Sequence, residues 1–311
     1  MAENRKIAII CGPTGSGKSS VAESLVGRFP IEIISADSRQ IFKHLDIGTA
    51  KPTKSERERV PTHLIDLIEL GERYSAFRFI GDATDAIAKT IARNRIPVVV
   101  GGSGLYLQAL TDGVVEVPND DESMREKLEV ELQEHGANAL HEKLVDVDPV
   151  EAAKIHPNNG IRILRALEIY FLTGKRKSEL IDSGAYRKTD YSFEQFGLIP
   201  DRGALYDGIN ARVDRMFSGG LEAEFDRLIE AGKAEELRRS NVIGYAELLS
   251  KHDGLWSHEK TIEMIKQNTR RYAKRQLTWF RARSDIIQCD SIATLTEQLS
   301  AWLERVWCEK A

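Results

Sequence analysis

The chain has 311 residues, 41% of them hydrophobic and 30% charged, and a formal net charge of −4. This length allows one large or two modest domains with a real buried core. The composition excludes a collagen-like or low-complexity chain, the net charge argues against a general nucleic-acid coat, and no apolar run reaches the roughly 18 residues of a membrane span. Only five consecutive apolar residues lead into Gly12, too few for a signal-peptide core, so the chain is predicted to be cytoplasmic. Residues 5–11 read as a short buried strand ending in a Gly-rich turn, and 18–29 as a helix with Val21, Ala22, Leu25 and Val26 on one face. Residues 31–35 form a second strand and 76–93 a helix. Pro97 opens a third strand, Pro-Val-Val-Val, that ends at Gly101-Gly102. Apolar strands alternating with helices predict an α/β fold, a P-loop NTPase-like parallel sheet with helices on both faces.

The pattern changes near residue 118. Residues 119–154 carry eleven acidic and four basic side chains and read as solvated helices over 126–134 and 137–145. This predicts a helical insertion domain over 119–191, with a polar, basic loop or hinge at 174–191, between core segments 1–118 and 192–311. Residues 193–200 look like a strand returning to the sheet. Residues 204–231 read as one helical run and 259–283 as the last long helix, with 266–283 holding seven cations and no acid. Such a density suits phosphate-backbone contact and equally a solvated face. Trp279 and Phe280 are expected to pack in the core. Tyr106 is either core or pocket lining.

Gly12-Pro-Thr-Gly-Ser-Gly-Lys18-Ser19 fits G-x-x-x-x-G-K-[ST] between a strand and a helix. Glycines let backbone N–H groups converge on an anion, and the helix N-terminus adds partial positive charge. Lys18 can neutralise phosphate oxygens, and the Ser19 hydroxyl can ligate Mg²⁺. The loop does not say which phosphate. Strand 98–100 ends in glycines with no Walker-B acid, which argues against an ATP-hydrolysing motor. The strand that ends near an acid is 31–35, followed by Asp37. At a C-terminal strand end Asp37 would face the ligand crevice and could accept a proton. It could equally cap a helix. The three cysteines are scattered with no Cys-x-x-Cys, so no disulfide framework or structural zinc site is expected, and His63, His135, His141 and His156 show no metal-binding spacing.

Several segments together carry a resemblance. They are the loop 12–19, Ser35-Ala-Asp-Ser-Arg-Gln40, Asp46-Ile-Gly-Thr-Ala-Lys-Pro52, His63-Leu-Ile-Asp66 and Gly101-Gly-Ser-Gly-Leu-Tyr-Leu107. Further on come Asn159 to Glu168 with Arg162-x-x-Arg-Ala-Leu-Glu, Ile243-Gly-Tyr-x-Glu247 and Tyr272-Ala-Lys-Arg-Gln-x-Thr-Trp-Phe-Arg281. In this order the chain resembles the tRNA dimethylallyltransferase family over nearly its whole length. Ser19 and Ser103 stand where the family usually has Thr, keeping the hydroxyl, and Thr62 stands where it often has His.

The resemblance implies prenyl transfer from dimethylallyl diphosphate to the exocyclic N6 amine of the adenosine 3′ of the anticodon in tRNA. It assigns catalysis to Asp37, Arg212 and Thr14. Diphosphate binding falls to Gly12, Pro13, Thr14, Gly15, Ser16, Gly17, Lys18, Ser19 and Arg212, and Mg²⁺ to Ser19. Contacts to tRNA, at the anticodon stem-loop, fall by resemblance to Asp37, Ser38, Arg39, Gln40, Ser103, Arg162 and Arg165, and the charge of the last long helix independently adds Lys274, Arg275 and Arg281. A monomer with no membrane partner is expected. Three other readings of the loop remain at this point: an adenylate isopentenyltransferase acting on AMP, ADP or ATP, a P-loop small-molecule kinase, and a non-catalytic RNA-binding protein with a relic loop. The insertion and the basic helix favour RNA over a free nucleotide. Intact Lys18, Ser19 and Asp37 argue against a relic.

Overall fold

The computed structural model describes residues 6–115, 122–183 and 186–308. Eight strands follow in chain order: β1 (Ile7–Cys11), β2 (Ile31–Ala36), β3 (Thr62–His63), β4 (Ile96–Gly101), β5 (Val114–Val115), β6 (Tyr186–Arg187), β7 (Phe193–Leu198) and β8 (Ile286–Cys289). The chain divides into two compact units, one of Met1–Thr111 with Thr189–Ala311 and one of Asp112–Lys188. No helix among the described residues is long and apolar enough to cross a membrane.

The first unit is an α/β fold with helices on both faces of a six-stranded sheet, ordered β3-β2-β4-β1-β7-β8. All its pairings are parallel, with Ile9 of β1 opposite Val99 of β4 and Gln195 of β7. Every residue of β1 and of β4 is buried, as expected of strands covered on both faces. One core cluster joins these strands to Val21 and Leu25 of the helix Lys18–Leu25, Phe79 and Ile87 of the helix Ala76–Ala92, and Leu299 and Trp302 of the helix Ile292–Leu303. A second cluster packs Ile41, Phe42, Leu45 and Ile68 against the helices Leu221–Glu230, Ala234–Ser240 and Tyr245–His252.

Some elements differ from their expected extents. The run at 204–231 is two helices, Arg202–Ser218 and Leu221–Glu230, because Gly220 adopts a left-handed φ of 96° that ends the helical path. The helix Gly104–Asp112, strand β8 and the helix Ile292–Leu303 were not anticipated.

The second unit packs the helices Glu122–Val147, Pro149–Ala152, Gly160–Thr173 and Lys177–Asp182. Its core holds Leu128, Leu140, Leu144, Ile163 and Leu167, and β5 pairs antiparallel with β6. The helix Glu122–Val147 is interrupted at Gly136 (φ 79°, ψ 169°), in agreement with two consecutive helices. The basic segment expected as a loop at 174–191 instead contains the helix Lys177–Asp182 and strand β6. The expected boundary at 118–119 and residues 184–185 of that segment lie outside the described residues.

Candidate active site

The phosphate loop follows β1 and turns into the helix Lys18–Leu25. Gly12 sits at a φ of 147°, and a Cβ there would lie 2.4 Å from the Leu198 carbonyl oxygen, so no other residue fits between β1 and β7. Lys18 Nζ donates to the carbonyls of Gly12 at 2.9 Å and Pro13 at 2.7 Å. Burial lowers the Lys18 pKa to about 8, opposed by the nearby Asp37 carboxylate and assisted by the Arg212 charge. The Ser16 hydroxyl is buried with no hydrogen-bond partner among the described residues.

Asp37 stands just beyond the C-terminal end of β2, beside the loop. Its Oδ1 accepts the backbone N–H of Arg39 at 2.8 Å and of Gln40 at 3.4 Å. These bonds cap a turn, not a helix, and Oδ2 has no hydrogen-bond partner among the described residues. The turn is fixed from just past β4: Ser38 N–H donates to the buried Ser103 Oγ at 2.9 Å. Arg212, on the helix Arg202–Ser218, donates from Nη2 to the Thr49 carbonyl at 3.2 Å. Burial lowers its pKa, and the Asp37 carboxylate opposes that shift.

A single cavity of about 880 Å³ is lined by Thr14, Gly15, Gly17, Lys18, Ser19, Asp37, Arg39, Gln40, Arg212 and Arg275 among the expected residues. Apolar side chains, including Val60, Val213, Met216 and Ile265, share its wall with these polar groups. Gly12, Pro13, Ser16, Ser38, Ser103, Lys274 and Arg281 are not on that wall. The Gln40 amide is engaged within the chain: its Oε1 accepts from Ser35 Oγ at 3.2 Å and its Nε2 donates to the Ala50 carbonyl at 3.1 Å. Arg162 and Arg165 belong to the second unit. Arg162 is exposed, and Arg165 pairs with the fully buried Glu168 at 2.6 Å. Tyr106 is core: it stacks on Phe79 with centroids 4.5 Å apart and is absent from the cavity wall. Phe280 is likewise fully buried, and Trp279 packs partly buried against the same core.

Several cations on the helix His258–Arg281 have partners inside the protein. Lys266 pairs with Asp214 at 2.6 Å, Arg270 donates to Asn210 Oδ1 at 2.6 Å, and Arg283, just past the helix, pairs with Asp285. Lys274, Arg275 and Arg281 are exposed. Sequence reasoning missed Gln276 on the buried face of this helix. Its Oε1 accepts Thr14 N–H at 2.9 Å and its Nε2 donates to the Gly102 carbonyl at 2.8 Å, so it ties the phosphate loop to the end of β4. Also missed was Lys51, whose buried ammonium sits 2.6 Å from both Asp46 and Asp66.

The histidines hold other partners: His63 Nε2 meets Glu32 at 2.7 Å, and His141 Nε2 meets the Ile155 carbonyl at 3.0 Å. Among the described residues no group of three His, Cys, Asp or Glu is arranged to hold a metal ion. A Mg²⁺ that rides on a substrate diphosphate needs only one or two protein ligands, the rest being phosphate oxygens and water. The exposed Ser19 hydroxyl on the cavity wall fits that donor set.

Comparison with known proteins bears on the family. The family described as IPP transferase matches residues 40–283, and that described as isopentenyl transferase matches residues 5–68. A tRNA dimethylallyltransferase 1 of Syntrophotalea carbinolica is 43% identical over 293 residues, covering 94% of this chain and 93% of that protein. The solved full-length tRNA isopentenylpyrophosphate transferase of Bacillus halodurans is 37% identical, with a TM-score of 0.68 and coverage of 98% of both chains. A eukaryotic dimethylallyltransferase acting on tRNA is 32% identical with a TM-score of 0.74, covering 96% of this chain and 76% of that one. The chain belongs to the IPP transferase family, that of the tRNA dimethylallyltransferases.

Proposed function

We propose that this cavity binds dimethylallyl diphosphate with its diphosphate on the loop 12–19 and Arg212, and presents the allylic carbon to an RNA amine activated by Asp37. The reaction is the family's: transfer of a dimethylallyl group to tRNA, giving N6-isopentenyladenosine. The acceptor is the adenosine 3′ of the anticodon. The observation that carries the assignment is the convergence of Lys18, Arg212 and Asp37 on one cavity that also has apolar wall for a five-carbon chain.

In this reading the N6 nitrogen forms a bond to the allylic C1 as the C1–O bond breaks. The electron pair leaves with the diphosphate, and the amine proton passes to Asp37 Oδ2. Backbone N–H groups of the loop, Thr14, Lys18 and Arg212 receive the charge that develops on the leaving oxygen. When bound, Mg²⁺ would neutralise part of the diphosphate charge, with Ser19 Oγ as its protein ligand. An aromatic exocyclic amine is a weak nucleophile, so placing it in line with C1 contributes most of the acceleration.

The target base has to leave its stack to reach Asp37. Asp37, Ser38, Arg39 and Gln40 would border it. Ser103 supports that turn and retains its own O–H as a donor. Arg162, Arg165, Lys274, Arg275 and Arg281 would meet the anticodon stem-loop. One copy of the chain suffices, because Lys18, Asp37 and Arg212 line the same cavity.

The test offers labelled dimethylallyl diphosphate with unmodified tRNA or with AMP. Label in tRNA alone is expected. Label in AMP with bare tRNA would overturn the reading in favour of an adenylate isopentenyltransferase.

A further inference from the structure

Part of the cavity wall, residues 48–51, belongs to a loop whose backbone at residues 46–48 is held by two buried side chains from distant helices. Glu224, on the helix Leu221–Glu230, accepts successive backbone N–H groups: Asp46 at 3.1 Å, Ile47 at 3.0 Å and Gly48 at 3.4 Å. Tyr245 donates its hydroxyl to Glu224 Oε1 and accepts Gly48 N–H at 3.2 Å. Both side chains are buried. A Cβ on Gly48 would lie 2.5 Å from the Tyr245 ring, so the loop is pressed directly on that ring. A carboxylate collecting several N–H donors is a strong anchor, and a buried one left without them is costly.

The anchored loop presents the Thr49 carbonyl, which accepts from Arg212 Nη2 at 3.2 Å and from Gln40 Nε2 at 3.5 Å. Arginine has a long side chain with high rotamer entropy, and fixing one of its donors pre-organises the rest of the fork. We infer that Glu224 and Tyr245 are positioning residues: they fix the Thr49 carbonyl, which aims the Arg212 guanidinium at the substrate diphosphate. Neither touches the reacting atoms. The inference rests on the reading of Arg212 as a diphosphate ligand.

The experiment is a double-mutant cycle with Tyr245→Phe and Arg212→Ala, read as kcat/KM for dimethylallyl diphosphate at saturating tRNA and, separately, as KM for tRNA. Tyr245→Phe keeps the ring against Gly48 and removes only the hydroxyl. It is expected to raise the KM for dimethylallyl diphosphate about tenfold, to leave the KM for tRNA within about twofold, and to add less than about twofold loss in the Arg212→Ala background. Glu224→Gln, which turns an amide N–H toward backbone donors, is expected to give the same split and serves if Tyr245→Phe does not fold. Unchanged kinetics in both variants, equal losses for both substrates, or a loss that adds fully to that of Arg212→Ala would overturn the inference. If Arg212→Ala alone leaves the KM for dimethylallyl diphosphate unchanged, the reading of Arg212 is what has failed, and the positioning role falls with it.

Discussion

Lys18 carries its charge inside the protein, where burial has lowered its pKa to about 8. Only the ammonium form neutralises a diphosphate. If Lys18 holds the diphosphate as proposed, affinity for the allylic donor is full below about pH 8 and is lost as pH rises through that value, while bound diphosphate holds the proton on. The expected result is a kcat/KM for dimethylallyl diphosphate that bends down near pH 8, with kcat bending later or not at all; a profile flat to pH 10 would contradict it. Stability moves the other way. The unfolded lysine keeps its proton up to its ordinary 10.5, so between about 8 and 10.5 the unfolded state binds more protons and folding is favoured as pH rises. In the proposed reading Asp37 divides its work between two oxygens, Oδ1 holding the turn and Oδ2 taking the amine proton. In Asp37→Asn the amide oxygen can still accept from Arg39 and Gln40, so the turn survives, while the proton acceptor is lost. Single-turnover rates should drop about 10²–10⁴-fold with tRNA affinity nearly unchanged; a rate equal to wild type would remove Asp37 from the chemistry.

At the scale of elements, the helix His258–Arg281 joins the core to the charged surface. It starts at the Ser257 cap, whose Oγ accepts Lys260 N–H at 3.2 Å. Its inner face carries Ile265, Ala273, Gln276, Leu277 and Phe280, and its outer face carries Lys274, Arg275 and Arg281. Because Phe280 is fully buried, Phe280→Ala should lower the unfolding free energy by about 3–5 kcal/mol, measurable by denaturant titration. A change under about 1 kcal/mol would show that the core collapses around the gap. This helix also shows what sequence can and cannot disclose. Its length and apolar spacing were legible, and so were its cations. That Lys266 and Arg270 already face Asp214 and Asn210 was not, because those partners lie on another helix far along the chain. Gln276 was equally hidden: nothing local marks a glutamine whose partners, Thr14 and Gly102, are 262 and 174 residues away. The phosphate loop was readable because its chemistry is compressed into consecutive residues. Strands β1, β2 and β4 were readable because burial leaves short, mostly apolar runs. Strand β8 escaped because it is brief and alternates buried ends with an exposed middle.

For the molecule as a whole, charge matters by where it lies. The net charge is −4, yet exposed cations at Lys274, Arg275, Arg281 and Arg162 are available to an RNA backbone, joined in this reading by Arg165. With about five phosphate contacts, tRNA affinity should fall on the order of 10²–10³-fold between 50 and 200 mM salt, measured by filter binding or fluorescence titration. A flat response would remove these side chains from the interface. The shift to an acidic, helical composition leads to the expectation of an insertion over 119–191, and the second compact unit runs from Asp112 to Lys188. The most direct trial of the central claim is a structure of the protein with an unreactive dimethylallyl diphosphate analogue and an anticodon stem-loop. The account predicts the diphosphate cradled by the 12–19 loop and Arg212, with the adenine N6 within hydrogen-bond reach of Asp37 Oδ2. Diphosphate density away from Lys18, or an adenine amine turned from Asp37, would contradict it.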